Sequence, residues 1–261
     1  MTAARDLDDL FIAAMAREIR DRDRVFVGTN QNDVALAAHL ARRLWAPGVR
    51  FWAGSSAHLD RTQDLLRVGR STLDPVLVAG RDATFWQAHA FDDALRAPVV
   101  FAGGLQVDAR GNANLAGIRH GDGWALRGPG SAGLPSLTAL AERFFIMVPA
   151  HEPRILVEEC SVLSVLGDPV ARASVGLAPA ALVAVITPLA RFVPSEDGLV
   201  LAELVEGVGE AELQERTGFD IRAAGEVARR VPLGDDERRV LGELRAATER
   251  NRRDPHGHAA G

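Results

Sequence analysis

The sequence has one cysteine, Cys160, among its 261 residues. A single thiol excludes an intrachain disulfide framework and leaves no zinc site built from cysteines. Because Cys160 lies in an apolar segment, we expect it to be an inert buried thiol. The chain also has no apolar run as long as a membrane span, and its first residues, MTAARDLDD, lack the hydrophobic region of a signal peptide. We therefore expect a cytoplasmic protein that does not bind membranes.

Blocks of basic residues are also missing from this chain. The formal net charge is −5, so nucleic acids and anionic membranes are not expected as partners. No G-x-G-x-x-G pattern follows the first predicted strand, which argues against a Rossmann dinucleotide site. The histidines of the charged, glycine-ended segment 251–261 indicate a disordered tail rather than a metal site. We find no internal repeat.

The material for a large hydrophobic core is present. Apolar residues make up 47% of the chain and charged residues 25%, the ordinary globular values. The length lies at the upper end of the range for one α/β domain. We predict a single domain over residues 1–250, followed by the tail.

The first part of the chain alternates helical and strand patterns. An amphipathic helix from residue 7 to 19 precedes a buried strand at 25–27, a polar loop at 28–33 and a helix over 34–45. Asp33 is placed to cap that second helix. Another apolar strand follows at 49–53. This βαβ pattern predicts parallel strands joined by a right-handed crossover.

The pattern is coarser in the rest of the chain. A strand is possible at 75–79, and a helix at 136–142 follows a glycine-rich segment. The apolar runs 144–148 and 155–157 are separated by a short polar connection, which predicts adjacent, antiparallel strands. We also predict strands at 181–186, 190–193 and 199–204, a hairpin turn at 194–198, and helices at 210–216 and 235–250.

The stretch from residue 99 to 117 combines a buried strand with polar side chains. An apolar run at 99–102 ends in Gly103 and Gly104, and Gln106, Asp108, Asn112 and Asn114 follow around a turn. A strand that ends in glycines and amides is typical of a ligand crevice at the carboxyl edge of an α/β sheet. The same residues also fit a β-hairpin in which asparagine and glycine only form the turn. The pattern leaves both interpretations open.

The pattern G-x-Q-V-D-x-x-G-N-x-N in this stretch resembles the signature of the class I, glutaconate-type CoA-transferase family in its β-type subunit. The matching residues are Gly104, Gln106, Val107, Asp108, Gly111, Asn112 and Asn114. The likeness extends roughly over residues 7–248. It implies an α/β fold with an open, mainly parallel sheet, helices on both faces and an antiparallel C-terminal portion. It also implies an α-type partner subunit in a heteromer and an acyl-CoA substrate, with coenzyme A as part of the substrate and no permanently bound cofactor or metal.

The resemblance further indicates which residues bind the substrate. The segment 128–133 resembles the family's glycine loop, which receives the pantetheine arm or the thioester carbonyl; small residues before a helix can also direct backbone N–H groups at an oxyanion. The candidate binding residues are Asn30, Gly54, Gly103, Gly104, Gln106, Asn112, Asn114, Gly128, Gly130, Ser131 and Gly133.

The chain departs from the family at its nucleophile. In the β-type subunit a glutamate just past the second strand attacks the thioester, and alignment of Ala46-Pro47 with the family's Ala-Pro places Gly54 at that position. Ser55, Ser56 and His58 are weak catalytic candidates, because a serine needs an adjacent base and turn serines are common. The acid/base group is then expected mainly from the partner.

Two diverged branches of the family lack this glutamate and resemble the chain. One is a ring-opening hydrolase of steroid degradation, which cleaves a C–C bond, and the other is a decarboxylase of 3-methylglutaconyl-CoA. The resemblance therefore favours hydrolysis or decarboxylation of an acyl-CoA. Conventional CoA transfer and a non-catalytic scaffold subunit are the alternatives.

Overall fold

The computed structural model describes residues 3–28, 31–53, 58–60, 83–84, 99–131 and 133–253. The chain divides into two compact units, the first formed by Met1–Val99 with Leu233–Gly261 and the second by Val100–Pro232. The single domain predicted for residues 1–250 stays a prediction. In the described part of the chain, no helix is long and apolar enough to cross a bilayer. The possible strand at 75–79 and residues 254–261 of the tail lie outside the described residues.

The described part of the chain contains six α-helices and fifteen strands. The helices are α1 (Ala3–Ala16), α2 (Asn32–Leu44), α3 (Leu134–Leu140), α4 (Pro169–Ser174), α5 (Glu210–Glu215) and α6 (Asp235–Arg253). The strands are β1 (Arg24–Val27), β2 (Arg50–Ala53), β3 (His58–Asp60), β4 (Ala83–Thr84), β5 (Val99–Gly103), β6 (Gln106–Asp108), β7 (Ala113–Asn114), β8 (Gly117–His120), β9 (Gly123–Arg127), β10 (Arg143–Met147), β11 (Leu156–Val157), β12 (Leu182–Ile186), β13 (Ala190–Ser195), β14 (Gly198–Leu204) and β15 (Ala223–Arg229).

The first unit contains the predicted βαβ motif. Strands β1 and β2 pair in parallel, with Val25 opposite Phe51, and α2 connects them. Strand β3 pairs with β2, and β4 pairs with β3, both in antiparallel orientation. Helix α2 is buried along most of its length, which explains its run of alanine and leucine. The closing helix α6 begins where we predicted and extends three residues further, to Arg253.

The start of α2 differs from the prediction. The helix begins at Asn32, and its N-cap is Gln31, which makes no side-chain capping bond. The Gln31 side chain instead accepts a hydrogen bond from the Gly28 N–H at 2.7 Å, so it holds the preceding loop. Asp33 is therefore not the cap. It lies in the first helical turn, where a carboxylate interacts favourably with the helix dipole.

Ion pairs connect the helices of the first unit. Arg17 at the end of α1 pairs with Glu237 of α6 at 2.7 Å, and Arg245 of α6 pairs with Asp9 of α1 at 2.6 Å. Both carboxylates are largely shielded from water. Because one pair lies at the middle of α1 and the other just past its end, the two together fix the alignment of α6 along it.

The second unit contains a mixed sheet in the order β15, β14, β13, β12, β10, β5. Strands β10 and β12 pair in parallel, and β12, β13 and β14 form antiparallel pairs. The predicted strands and hairpin of the C-terminal portion are therefore confirmed. Strand β15 adds a parallel edge, which the sequence did not predict. The parallel core, the antiparallel portion and the helices give an α/β fold.

The predicted pairing of the runs 144–148 and 155–157 is wrong. Strand β10 pairs with β12, whereas β11 pairs in parallel with β6 in a separate three-stranded sheet ordered β11, β6, β7. The connection turns away because His151 is held between Thr187 and Thr217, with ring nitrogens 2.8 and 2.9 Å from their hydroxyls. The short polar connection therefore joins two sheets and does not form a hairpin.

Candidate functional site

The stretch carrying the family pattern forms a β-hairpin. Strands β6 and β7 pair with Gln106 opposite Asn114. In the turn, one Asp108 carboxylate oxygen accepts the Arg110 and Asn112 N–H groups at 3.0 and 2.9 Å. Gly111 adopts a φ of +84°, which favours glycine. The hairpin interpretation is thus what the structure shows, and Asp108 is the residue that fixes its turn.

Asn112 joins the hairpin to the segment that precedes α4. Its side-chain oxygen accepts the N–H groups of Gly167 and Asp168 at 3.0 and 3.2 Å, and its amide donates to Asp108 at 3.2 Å. The backbones at Gly167 and Gly111 also approach closely: a Cβ on Gly167 would lie 1.7 Å from the Gly111 carbonyl oxygen. Asn112 and Gly167 therefore hold two turns together.

Asp168 secures the same junction by charge. Its carboxylate accepts the Val170 and Ala171 N–H groups at the start of α4 and pairs with Arg110 at 2.8 Å. Burial alone would raise the pKa of Asp168, but the Arg110 side chain and the two N–H groups outweigh it and lower the pKa. The carboxylate stays ionised and acts as a helix cap.

Gln106 and Asn114 form a buried amide pair across the hairpin. The Gln106 side-chain oxygen accepts from Asn114 at 2.8 Å and from the Ser161 hydroxyl at 2.9 Å. Asn114 also donates to the Gly117 carbonyl at 2.7 Å. Among the described residues, none accepts a hydrogen bond from the Gln106 amide nitrogen. These contacts fix the orientation of the Gln106 side chain.

The glycine loop lies against this hairpin. Gly128 donates to the Ala116 carbonyl at 3.0 Å, and a Cβ there would lie 2.4 Å from the Leu115 carbonyl oxygen. The Ser131 hydroxyl lies 2.7 Å from that of Ser164, which accepts the Leu115 N–H at 2.9 Å. The structure therefore brings the predicted residues Gln106, Asn114, Gly128 and Ser131 into one hydrogen-bonded region.

The outer part of the glycine loop is open. Gly130 has a φ of +94° and empty space where a side chain would lie. In the described part of the chain, neither its N–H nor that of Ser131 has an acceptor. Gly133 is the N-cap of α3, which begins two residues before the predicted start. The backbone at Gly130 and Ser131 is therefore accessible to a ligand.

Two serines of this region were not predicted. Ser161 and Ser164 connect the hairpin to the glycine loop, but a pair of serines three residues apart carries no recognisable chemical pattern. The neighbouring residue Cys160 is half-buried, and its backbone N–H donates to an Asp108 carboxylate oxygen at 3.4 Å. Burial and the charge of Asp108 raise the pKa of Cys160, so the thiol is protonated at neutral pH.

The first unit has a groove of about 590 Å³ at the start of α2. Asn32, which belongs to the polar loop predicted at 28–33, lines it together with Asp33, Arg5, Arg245 and Glu249. Burial, aided by the charge of Asp8, raises the pKa of Asp33 against the effect of Arg245. The groove is thus lined by two guanidinium groups and by a carboxyl group whose pKa is raised above its ordinary value.

The remaining candidates are only partly covered by the structure. Asn30, Gly54, Ser55 and Ser56 lie outside the described residues. For His58 the backbone is described, in strand β3 opposite Ala53 of β2. Their roles in binding or catalysis stay predictions.

The chain is similar to known proteins over nearly its whole length. It is 26% identical over 256 residues to a subunit of 3-oxoadipate CoA-transferase from Pseudomonas knackmussii, covering 94% of this chain and 95% of that one. It resembles the crystal structure of the decarboxylase AibA/AibB at 25% identity and a TM-score of 0.78, over 97% and 96% of the two chains. No family model matches the chain.

A second solved structure shares the fold. Glutaconate coenzyme A-transferase from Acidaminococcus fermentans gives a TM-score of 0.79 at 21% identity, over 91% of this chain and 94% of that one. Taken with the hairpin and glycine loop described above, these likenesses confirm the resemblance detected in the sequence. The comparisons support a β-type subunit of a class I CoA-transferase-family enzyme.

Proposed function

We propose that the chain works with an α-type subunit to cleave an acyl-CoA by hydrolysis of a C–C bond or by decarboxylation. One observation carries the choice of reaction, namely that the sequence pattern aligns Gly54 with the family's nucleophilic glutamate. Glycine has no group that could hold CoA covalently, so transfer through a glutamyl-CoA thioester has no nucleophile there. The likeness to the decarboxylase AibA/AibB supports the same choice.

Both reactions develop negative charge on the acyl group next to the thioester, as an enolate. In decarboxylation the C–C bond to the carboxylate breaks, CO₂ leaves, and the electron pair remains on the acyl group. In hydrolytic cleavage water adds to a 3-oxo carbonyl, and breaking the C–C bond again leaves the electron pair next to the thioester. The resulting thioester enolate then takes up a proton, and N–H donors at its oxygen stabilise it by roughly 3 kcal/mol.

The second unit offers suitable donors for that enolate. The N–H groups at Gly130 and Ser131 lie in the loop that the family uses for the thioester. Gln106 adds an amide whose orientation is fixed by Asn114 and Ser161. We assign these groups to binding and charge stabilisation, and the proton donor to the partner subunit.

The test begins with co-expression of the chain and an α-type partner. The purified complex is given candidate 3-oxoacyl-CoA and unsaturated acyl-CoA thioesters, and C–C cleavage products and CO₂ are measured by mass spectrometry. Treatment with hydroxylamine or borohydride during turnover then tests for an enzyme-bound CoA thioester. We expect cleavage without a trapped thioester. A trapped thioester on this chain, with CoA passed to a second acid, would instead establish conventional transfer.

Variants of the amide cluster separate catalysis from a scaffold role. Gln106→Met removes the N–H₂ donor together with the oxygen that accepts from Asn114 and Ser161, whereas Ser161→Ala keeps the donor and removes one partner of that oxygen. We expect Gln106→Met to lower kcat by about a hundredfold and Ser161→Ala to lower it much less, with both complexes assembling normally. Unchanged activity in the assembled Gln106→Met complex would favour a non-catalytic subunit.

A further inference from the structure

The hairpin of β8 and β9 is a two-stranded ribbon with an unusually exposed second strand. All five residues of β9 are exposed. Trp124 and Leu126 are 36% and 47% exposed, although both side chains are large and apolar. Two strands alone bury little surface, so this ribbon presents its side chains instead of contributing to a core.

Three of these side chains form one group, which we call the Arg–Trp–Arg cluster. The guanidinium carbon of Arg119 lies 4.4 Å from the Trp124 ring centroid, and that of Arg127 lies 5.7 Å from it. Arg119 is directly opposite Trp124 in the strand register. Both distances are within the range for cation–π attraction. The cluster therefore holds two positive charges beside one aromatic ring.

The backbone beneath the cluster is fixed. A Cβ on Gly117 would lie 2.8 Å from two atoms of the Trp124 ring, so the ring packs directly on that glycine. The Arg119 N–H donates to the Ser161 hydroxyl at 3.3 Å. The cluster is thus joined, through Ser161, to the amide pair of the candidate site.

The charge of the two arginines is not neutralised by the residues that the structure describes. Among those residues, no carboxylate lies within ion-pair distance of Arg119 or Arg127. The ribbon's own acid, Asp122, lies in the turn between the strands and pairs with neither. Guanidinium groups that lack a carboxylate partner are suited to bind phosphate oxygens. An exposed indole can stack on an aromatic base. The cluster therefore matches a ligand that has both groups.

We propose that the Arg–Trp–Arg cluster binds the phosphorylated adenosine end of the acyl-CoA, an inference that rests on the proposed function. Strand β9 leads directly into the glycine loop at Gly128. At about 3.3 Å per residue, Trp124 is roughly 13 Å along the strand from that loop. An extended ligand can therefore place its thioester at the loop and its phosphates at Arg119 and Arg127.

The kinetic test uses the assembled complex. We compare an acyl-CoA with the same thioester lacking the 3′-phosphate, for the native protein, Arg119→Gln/Arg127→Gln, the double lysine variant and a control, Arg154→Gln. Arg154 is exposed in the same unit and pairs only with Glu152 among the described residues. We expect the double glutamine variant to raise KM for acyl-CoA at least tenfold with kcat within twofold, and to lose the preference for the 3′-phosphate. The lysine variant should be intermediate, and the control unchanged.

A binding measurement distinguishes failure of this inference from failure of the proposed function. Calorimetry with 3′-phosphoadenosine 5′-diphosphate needs no turnover. It should show binding to the native complex and at least tenfold weaker binding to the double glutamine variant. Equal KM and equal binding in native and variant complexes would overturn the inference while leaving the reaction intact. Failure of the variant to assemble, seen by size-exclusion chromatography, would also overturn it, because the ribbon would then be a subunit contact.

Discussion

Acidification should destabilise the second unit through His151. Its ring is buried between Thr187 and Thr217. Thr217 donates its own proton to the Leu213 carbonyl at 2.8 Å, so the Nε2–H of His151 must donate to Thr217. The Thr187 hydroxyl accepts the Leu189 and Ala190 N–H groups, which occupy both of its lone pairs, so it does not accept an N–H from Nδ1 as well. Its own proton goes to Nδ1 at 2.8 Å or to the Ala190 carbonyl at 3.1 Å. The site therefore fits a neutral imidazole.

The size of the effect follows from the pKa. Burial first, and then the charges of Arg216 and Arg230, lower the pKa of His151 from 6.5 to about 4. The unfolded chain thus binds more protons between these values, so the stabilisation is complete above pH 6.5 and is lost as the pH falls towards 4. The full loss is about 3 kcal/mol, of which about 2 kcal/mol is lost by pH 5.

The assay is urea unfolding followed by circular dichroism at about pH 7.5 and about pH 5. Carboxylates also titrate in this range, so native protein is compared with His151→Gln, which retains a donor and an acceptor but cannot take up the proton. We expect the native protein to lose about 2 kcal/mol more than the variant between these pH values. His120→Gln, at an exposed histidine, should behave like the native protein. A difference below about 0.5 kcal/mol between native and His151→Gln would refute the reasoning.

Three further predictions concern stability and are checked by the same unfolding assay. Gly167→Ala should lower the free energy of unfolding by about 3 kcal/mol or more, because the new methyl group would overlap the Gly111 carbonyl. The control is Gly242→Ala, in open space within α6, which should raise the free energy of unfolding by up to about 1 kcal/mol. Equal effects of these two substitutions would contradict the packing at residue 167. Asn112→Ala should cost about 2 kcal/mol, since it leaves two N–H groups without an acceptor; a neutral result would mean that water replaces the amide. Arg172→Met should cost about 3 kcal/mol, because the buried guanidinium donates to three carbonyls from separate segments, and a stabilised variant would show that desolvation of the charge outweighs these bonds.

The regular elements could be predicted because local patterns carry them. The βαβ motif of β1, α2 and β2 follows from apolar runs and one helical face, and the hairpin of β13 and β14 follows from a turn signal between two apolar strands. Helix α6 was found because its apolar residues repeat at the helical period. In each case the partners are close in sequence, so local periodicity indicates which surface must be buried.

The pairing of strand β11 could not be predicted from local patterns. Strand β11 is as apolar as β10 and only nine residues beyond it, yet it pairs with β6, which lies some fifty residues earlier. Hydrogen bonds made by His151 in the connection decide that path. A short polar segment looks the same whether it turns a hairpin or joins two sheets.

The family pattern, the α/β alternation and the candidate loops can be predicted from the sequence, because each depends on residue types at fixed local spacing. The folded chain was needed to show that Asn112 and Asn114 make positioning contacts, that Ser161 and Ser164 connect the hairpin to the glycine loop, and that two arginines contact the ring of Trp124. Those roles depend on which donors meet which acceptors across distant segments. Buried polar groups must be paired when the chain folds, and sequence spacing does not specify their partners.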